Sequence, residues 1–112
     1  MISRHWKGIA KRDAADRYIA HLEDETFPKL AALTGFVQAT ILRREVESGI
    51  EFRIVTLWES VRPIESFAGP DVEAAVVPDE VQAMMVEYDR RAIHYEVVTS
   101  LDSRRSQGPD VH

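Results

Sequence analysis

Cysteine is absent from this sequence of 112 residues. Its absence excludes a disulfide framework, a thiolate nucleophile and a cysteine-based metal site. Long apolar runs are absent too, since no stretch approaches the roughly 18 residues that a membrane-spanning helix requires. The first residues have the pattern of a polar strand and not that of a signal peptide. We therefore expect a cytoplasmic protein without membrane association.

Basic residues are outnumbered by acidic ones, with 14 Lys and Arg against 19 Asp and Glu and a net charge of −5. A nucleic-acid-binding surface requires a basic face. The basic residues here are dispersed, so no nucleic-acid partner is expected. The five glycines leave no phosphate loop or dinucleotide fingerprint. No cofactor is predicted.

Metal ligands are sparse as well. No two of the four histidines have ligand spacing. His21, next to Leu22 on a predicted helix, is interpreted as a surface residue. The acidic run at 23–25 fans out around the same helix and is interpreted as a solvated face. No metal site is predicted.

Strand and helix patterns alternate along the chain. Apolar residues at strand spacing predict strands over 2–9, 36–45, 51–58 and 92–99. Helical spacing predicts helices over 13–33, capped by Asp13 and interrupted at Pro28, and over 61–68, capped by Ser60. Two shorter helical segments are predicted at 71–77 and 79–88. The order is that of an α+β, ferredoxin-like split βαβ domain, in which a four-stranded antiparallel sheet has helices on one face.

The third strand is apolar on both faces. Phe52, Ile54 and Trp58 lie on one face, and Val55 and Leu57 lie on the other. A single sheet with helices on one side leaves its other face uncovered. We expect a second copy of the chain to cover it, forming a homodimer. This domain spans residues 1–100, and the polar composition of residues 101–112 predicts a flexible tail.

Three short motifs resemble a known family. They are Leu57-Trp58-Glu59-Ser60, Phe67-Ala68-Gly69 and Tyr95-Glu96-Val97. With the order of elements, they resemble the antibiotic biosynthesis monooxygenase superfamily, whose fold is the dimeric α+β barrel. The resemblance implies that two chains pack sheet against sheet and that each keeps a pocket between its sheet and its helices. It also implies an activity, either cofactor-independent oxidation of aromatic rings or haem degradation.

The haem-degrading branch of that family uses a Trp, a His and an Asn. Counted from Trp58, the Trp position falls on Phe67 and the His position falls on Val77, and the sequence contains no Asn. Haem degradation is therefore disfavoured. The cofactor-independent oxygenases have a Trp near the end of the third strand, which Trp58 resembles.

Aromatic residues are the candidates for binding a small hydrophobic or aromatic ligand. Trp6 and Trp58 lie on neighbouring central strands and can flank one cavity, although a packed core is the alternative interpretation. Further candidates are Tyr18, Phe67 and Tyr88.

The strand histidines His5 and His94 are the candidates for catalysis. An imidazole there can accept a proton from a phenol or enol. For both residues a structural hydrogen bond is the alternative role.

These expectations define two main hypotheses. The first is a cofactor-independent monooxygenase-like enzyme that acts on an aromatic or quinol-type small molecule. The second is a non-catalytic homodimeric protein, for small-molecule binding or stress response, that uses the same pocket. A haem-binding protein with altered ligation is a third.

Overall fold

The computed structural model describes residues 1–102, so the predicted tail lies, from residue 103 onward, outside the described residues. The strands are β1 (Ile2–Ala10), β2 (Phe36–Val46), β3 (Gly49–Trp58), β4 (Met85–Tyr88) and β5 (Ile93–Glu96). The α-helices are α1 (Ala15–His21), α2 (Phe27–Ala31), α3 (Glu65–Ala68) and α4 (Asp79–Gln82). Turns of 3₁₀ helix at Arg12–Ala14 and Arg62–Ile64 precede α1 and α3. None of the helices within residues 1–102 has the length and apolarity needed to cross a membrane.

All five strands form one antiparallel sheet in the order β2-β3-β1-β4, and β5 also pairs with β1. The predicted class is confirmed, with β1 and β3 adjacent at the centre. The predicted strand number is wrong. The segment expected to be helical over 79–88 is helical only to Gln82, and Met85–Tyr88 forms β4 instead.

The strand β4 forms because β1 is longer than β5. β5 pairs with residues 2–5 of β1, and β4 pairs with residues 8–10. A short β5 alone leaves the backbone groups at the far end of β1 without partners, and buried backbone groups require them. Pairing with β1 at the edge of the sheet therefore outweighs the helical spacing of the apolar residues at 81–88.

The helices differ from expectation at their ends. The predicted helix over 13–33 is divided by a π-helical turn at Leu22–Thr26, in which the N–H of Phe27 donates to the carbonyl of Leu22. Pro28 lies in the first turn of α2, directly after the π-helical turn, so the N–H that it lacks falls where the helical hydrogen-bond pattern changes. Asp13 and Ser60 are not caps, because the elements that open these helices begin without a side-chain cap bond.

The predicted helical segment at 71–77 is also absent. Its backbone forms turns, and Ala74 makes an isolated antiparallel bridge with Arg91. This segment lies beside β5, and its carbonyls become hydrogen-bond acceptors for the sheet.

The structure settles which face of β3 meets the helices. Phe52 packs in one core cluster with Tyr18, and Trp58 packs in a second with Leu30 and Ile64. Directly paired residues on neighbouring strands share a face. The opposite face, which we call the open face, therefore carries Leu42, Val55, Leu57, Ile93 and Tyr95 together with His5.

Candidate functional site

A cavity of about 220 Å³ lies between the sheet and the helices. The sheet contributes Arg4, Trp6, Ile54 and Thr56 to its lining. The first helical region contributes Tyr18, His21, Leu22, Glu25, Thr26, Lys29 and Leu30, and the later segments contribute Phe67, Val76, Pro78, Glu80 and Val81. The lining is mainly apolar and aromatic, with a few ionisable groups. This composition is typical of a small-molecule site.

Trp6 is held in this cavity by contacts with its own strand and with the residue that follows β4. Its indole Nε1 donates to the carbonyl of Asp89 at 2.8 Å. Its ring lies across Gly8, where an added Cβ would come within 2.5 Å of Trp6 Cη2. The absence of a side chain at Gly8 therefore makes room for the ring.

Tyr18 extends the aromatic wall. Its ring centroid is 6.4 Å from that of Trp6 and 4.9 Å from that of Phe52, the latter pair in an edge-on arrangement. Burial raises the pKa of the Tyr18 phenol well above its usual range. Tyr18 is consequently a neutral hydroxyl at physiological pH.

Arg4 is the buried cation of the site, with only 4% of its surface exposed. Its guanidinium donates to the carbonyls of Val72 and Ala74, the latter at 2.7 Å, and to Nε2 of His94 at 2.9 Å. Burial lowers the pKa of Arg4 to about 10, although Glu73 opposes the shift, so the group keeps its charge at neutral pH.

The three acceptors of Arg4 are all neutral, so these hydrogen bonds occupy three of its five N–H donors without neutralising its charge. The guanidinium carbon also lies 5.7 Å from the ring centroid of Phe67, within the range of a cation–π contact. Arg4 thus presents a positive charge at a cavity whose walls are otherwise mostly apolar.

His94 supports Arg4 from the neighbouring strand. The two residues are directly paired between β1 and β5. A guanidinium has only donors, so Nε2 of His94 must be an unprotonated acceptor. Burial, and then the charge of Arg4, lowers the pKa of His94, which favours the same neutral form.

His5 lies on the open face, across the sheet from the cavity. Its Nε2 is 2.8 Å from the hydroxyl of Ser3, and its ring packs edge-on against Tyr95 at 4.9 Å. Burial, and then the charge of Arg53, lowers the pKa of His5. The structure therefore separates His5 from Trp6, although the two are adjacent in sequence.

Trp58 is completely buried and belongs to the core. Its Nε1 donates to Thr56 Oγ1 at 2.8 Å, and its ring centroid lies 5.4 Å from Phe36 and 6.2 Å from Phe67. Trp58 therefore supports two residues of the lining, Thr56 and Phe67, from behind. We expected Trp6 and Trp58 to flank one cavity. The lining contains Trp6 and Phe67 instead.

Tyr88 also lies away from the lining. It packs against the first core cluster, and the guanidinium of Arg90 is 5.7 Å from its ring centroid. Among the predicted ligand-binding residues, the structure thus brings Trp6, Tyr18 and Phe67 to the cavity.

Sequence reasoning missed His21. Its side chain is only 8% exposed, and its Nδ1 has no hydrogen-bond partner, with Glu80 Oε2 at 3.8 Å. Glu25 lies on the same side, and one ligand atom from each of the three residues falls within 4.8 Å of the others. The spacing of four residues between His21 and Glu25 was the available signal, since such pairs share a helix face.

Comparisons with known proteins place the fold. No family model matches the chain, and no curated protein sequence matches it. Solved structures do match. A candidate antibiotic biosynthesis monooxygenase from Bacillus cereus is similar with a TM-score of 0.63 at 15% identity, covering 90% of this chain and 94% of its own.

Two structures of MhuD are similar as well. The haem degrader MhuD from Mycobacterium tuberculosis, with two haems in its active site, has a TM-score of 0.57 at 18% identity, covering 91% of this chain and 100% of its own. A point mutant of MhuD, with two manganese protoporphyrins bound per active site, has a TM-score of 0.60 at 18% identity, covering 91% and 99%. The resemblance drawn from the motifs is confirmed at the level of the fold, which is what similarity at this identity establishes.

Proposed function

We propose that the cavity binds a small aromatic molecule with an ionisable oxygen and that the protein acts on it as a cofactor-independent monooxygenase. The observation that supports this proposal is the charge of Arg4. A buried cation whose acceptors are neutral carbonyls and an imidazole is a binding partner for an anion. Trp6, Tyr18 and Phe67 supply the aromatic surface around it.

The chemistry follows from the charge. A cation in a water-poor site stabilises the ionised form of a bound phenol or enol and lowers the pKa of its hydroxyl. The resulting phenolate or enolate is the electron-rich species that reduces O2. In an anthrone-type ring, a CH2 group and O2 become a carbonyl group and water, so the substrate supplies all the electrons. Arg4 binds and orients this anion, and the apolar walls exclude water from it.

The histidines take different parts in this proposal from those expected. His94 acts as a positioning residue, because its Nε2 accepts from Arg4 and holds the guanidinium in place. His5 lies on the open face, on the other side of the sheet from the cavity. Neither imidazole is the base in this proposal, because the substrate binds as the anion after releasing its hydroxyl proton to solvent.

Porphyrin binding is the alternative function to compare with this geometry, because two similar structures carry metal porphyrins. Cavities that hold drug-sized ligands are on the order of 300–1,000 Å³, and a porphyrin is larger than most such ligands. The volume here is about 220 Å³. This volume, together with Phe67 and Val77 at the expected Trp and His positions, favours a small ring system over haem.

The experiment combines binding with oxygen uptake. A panel of anthrone-type and quinol substrates is titrated against the protein, with tryptophan fluorescence reporting binding and an oxygen electrode reporting turnover. Arg4→Met removes the charge and keeps most of the volume, whereas Arg62→Met removes an exposed cation outside the lining. We expect Arg4→Met to weaken binding at least about tenfold and Arg62→Met to leave it unchanged.

The outcomes separate the hypotheses. Turnover that disappears in Arg4→Met supports the enzyme. Binding that depends on Arg4 without any oxygen uptake supports the non-catalytic binding protein. Binding and turnover that are the same in Arg4→Met and the wild type would refute the assignment of Arg4. Addition of haem is expected to give no Soret shift.

We also propose that the protein is a homodimer whose open faces pack together. Leu42, Ile93 and Tyr95 on this face are about half exposed, at 49%, 54% and 53%. Charged residues adjoin this apolar patch, because Arg53 pairs directly with Leu42 and Glu51 is bonded to both Arg44 and Arg53. An apolar centre with a charged rim is the usual form of a protein interface.

A further inference from the structure

The wall of the cavity contains one polar atom that the fold leaves without a partner. Nδ1 of His21 is buried and accepts or donates no hydrogen bond among the described residues. Leaving such a buried atom unpaired destabilises the folded protein. The nearest acidic oxygen, Oε2 of Glu80, lies at 3.8 Å, which is beyond hydrogen-bond distance.

Two carboxylates converge on this atom from different parts of the chain. Glu25 lies in the π-helical turn that follows α1, and Glu80 lies in the first turn of α4. One ligand atom each from His21, Glu25 and Glu80 falls within a 4.8 Å cluster. The three residues also line the cavity.

We propose that His21, Glu25 and Glu80 bind a divalent transition-metal cation. Imidazole and carboxylate ligands at about 2.0–2.2 Å suit Zn²⁺ and its neighbours in the first row. Ligand atoms around such an ion lie somewhat closer than in this cluster, and the two exposed carboxylates can move inward. Binding would give the His21 nitrogen its missing partner and bring two negative charges to a cation.

The number of ligands indicates the kind of site. A structural zinc site has four protein ligands, whereas a catalytic one has three and keeps a position for water or substrate. Three ligands in a cavity wall match the second kind, with the open position toward the cavity. The π-helical turn that carries Glu25 fits this interpretation, because such insertions occur frequently at functional sites. The proposal does not involve Arg4 and is independent of the proposed oxygenation.

The experiment measures binding of Zn²⁺ alone to the full chain after removal of metals with a chelator. Isothermal titration calorimetry should give one tight site per chain. Glu80→Gln keeps the size of an exposed side chain, so its fold is preserved, and it should weaken binding at least about tenfold. His21→Ala and Glu25→Gln should do the same.

Matched controls separate this site from stray binding. Glu23→Gln removes a carboxylate from the same acidic run but outside the cluster, and His5→Gln removes an imidazole from the open face. Both should bind Zn²⁺ like the wild type. Zn²⁺ should raise the melting temperature of the wild type and of Glu23→Gln, but much less that of Glu80→Gln, because a ligand stabilises only the state that binds it.

Two results would overturn the proposal. One is a wild-type protein that shows no saturable site for Zn²⁺. The other is a Glu80→Gln or His21→Ala variant that binds it as tightly as the wild type.

Discussion

Arg4 and His94 form a hydrogen bond of 2.9 Å between directly paired positions of β1 and β5. The bond requires an unprotonated Nε2 on His94, because Arg4 can only donate. The neutral form of His94 is thus linked to the charged form of Arg4, a residue 90 positions away in sequence. The charge that faces the cavity is held in place by a neutral imidazole.

This pair predicts a loss of stability in mild acid. The pKa of His94 is lowered in the folded protein, while an unfolded histidine titrates near about 6.5. Between the two values the unfolded chain binds more protons, so stability rises with pH. The contribution is therefore present above about pH 6.5 and is lost as the pH falls through the folded pKa.

The measurement compares melting temperatures at about pH 7.5 and about pH 5, on either side of the ordinary histidine pKa. His94→Gln keeps a neutral acceptor but cannot titrate, and its melting temperature should fall less than that of the wild type. His5 has a lowered pKa too, so His5→Gln isolates its separate share. Equal acid sensitivity in the wild type and His94→Gln would show that the Arg4–His94 bond does not cause the loss of stability in mild acid.

The close approach of Gly8 and Trp6 predicts a specific effect of one methyl group. An added Cβ would lie 2.5 Å from Trp6 Cη2 and 3.1 Å from Met85 Sδ. Gly8→Ala should displace the indole into the cavity, destabilise the protein by about 1–3 kcal/mol and weaken binding of aromatic ligands. Denaturant unfolding and fluorescence titration provide the two readouts.

A double-mutant cycle tests whether the indole is the cause. Trp6→Phe shortens the ring, so adding Gly8→Ala to it should have a smaller effect on stability than in the wild type. Additive effects of the two substitutions would mean that the clash lies elsewhere.

The two tryptophans should respond differently to substitution. Trp58 is fully buried, so Trp58→Ala should destabilise the protein by about 3–5 kcal/mol. Trp6→Phe should weaken ligand binding with a smaller effect on stability, because Trp6 lines the cavity. The pair is compared by urea unfolding and by ligand titration. A Trp58→Ala variant that keeps its stability but loses ligand binding would show that Trp58 contacts the ligand.

The sequence was sufficient for the fold class, because the periodicity of its segments and their order along the chain agree. The two apolar faces of β3 indicated a sheet with covers on both sides. Periodicity alone could not assign Phe52 and Trp58 to the helices, because either set of alternate residues could face them. The register with β1 and the core clusters decided it.

The candidate site was less accessible from sequence. Arg4 and His94 meet only because β5 pairs with the beginning of β1, and no local pattern contains both residues. Glu80 reaches His21 through the packing of α4, which is equally remote in sequence. Aromatic candidates were easier to find, because large aromatic side chains are few in this sequence. Trp6, Tyr18 and Phe67 line the cavity, whereas Trp58 and Tyr88, chosen on the same ground, do not.

The open face provides the test of assembly. A dimer should have a mass of about twice 12.8 kDa in sedimentation at micromolar concentration. Leu57→Asp places a charge on the apolar face, opposite the face that packs on the helices, and burying an unpaired charge at an interface is strongly unfavourable. The variant should therefore sediment as a monomer while keeping its helical and strand content by circular dichroism.

A matched control distinguishes the interface from a general effect of added charge. Val61 is an exposed apolar residue outside the sheet, with 40% of its surface accessible. Val61→Asp should leave the mass unchanged. A monomeric wild type, or a dimer that persists in Leu57→Asp, would contradict packing through the open face. Since Leu57 is next to Trp58 but on the opposite side of the strand, the same residue pair tests both faces of β3.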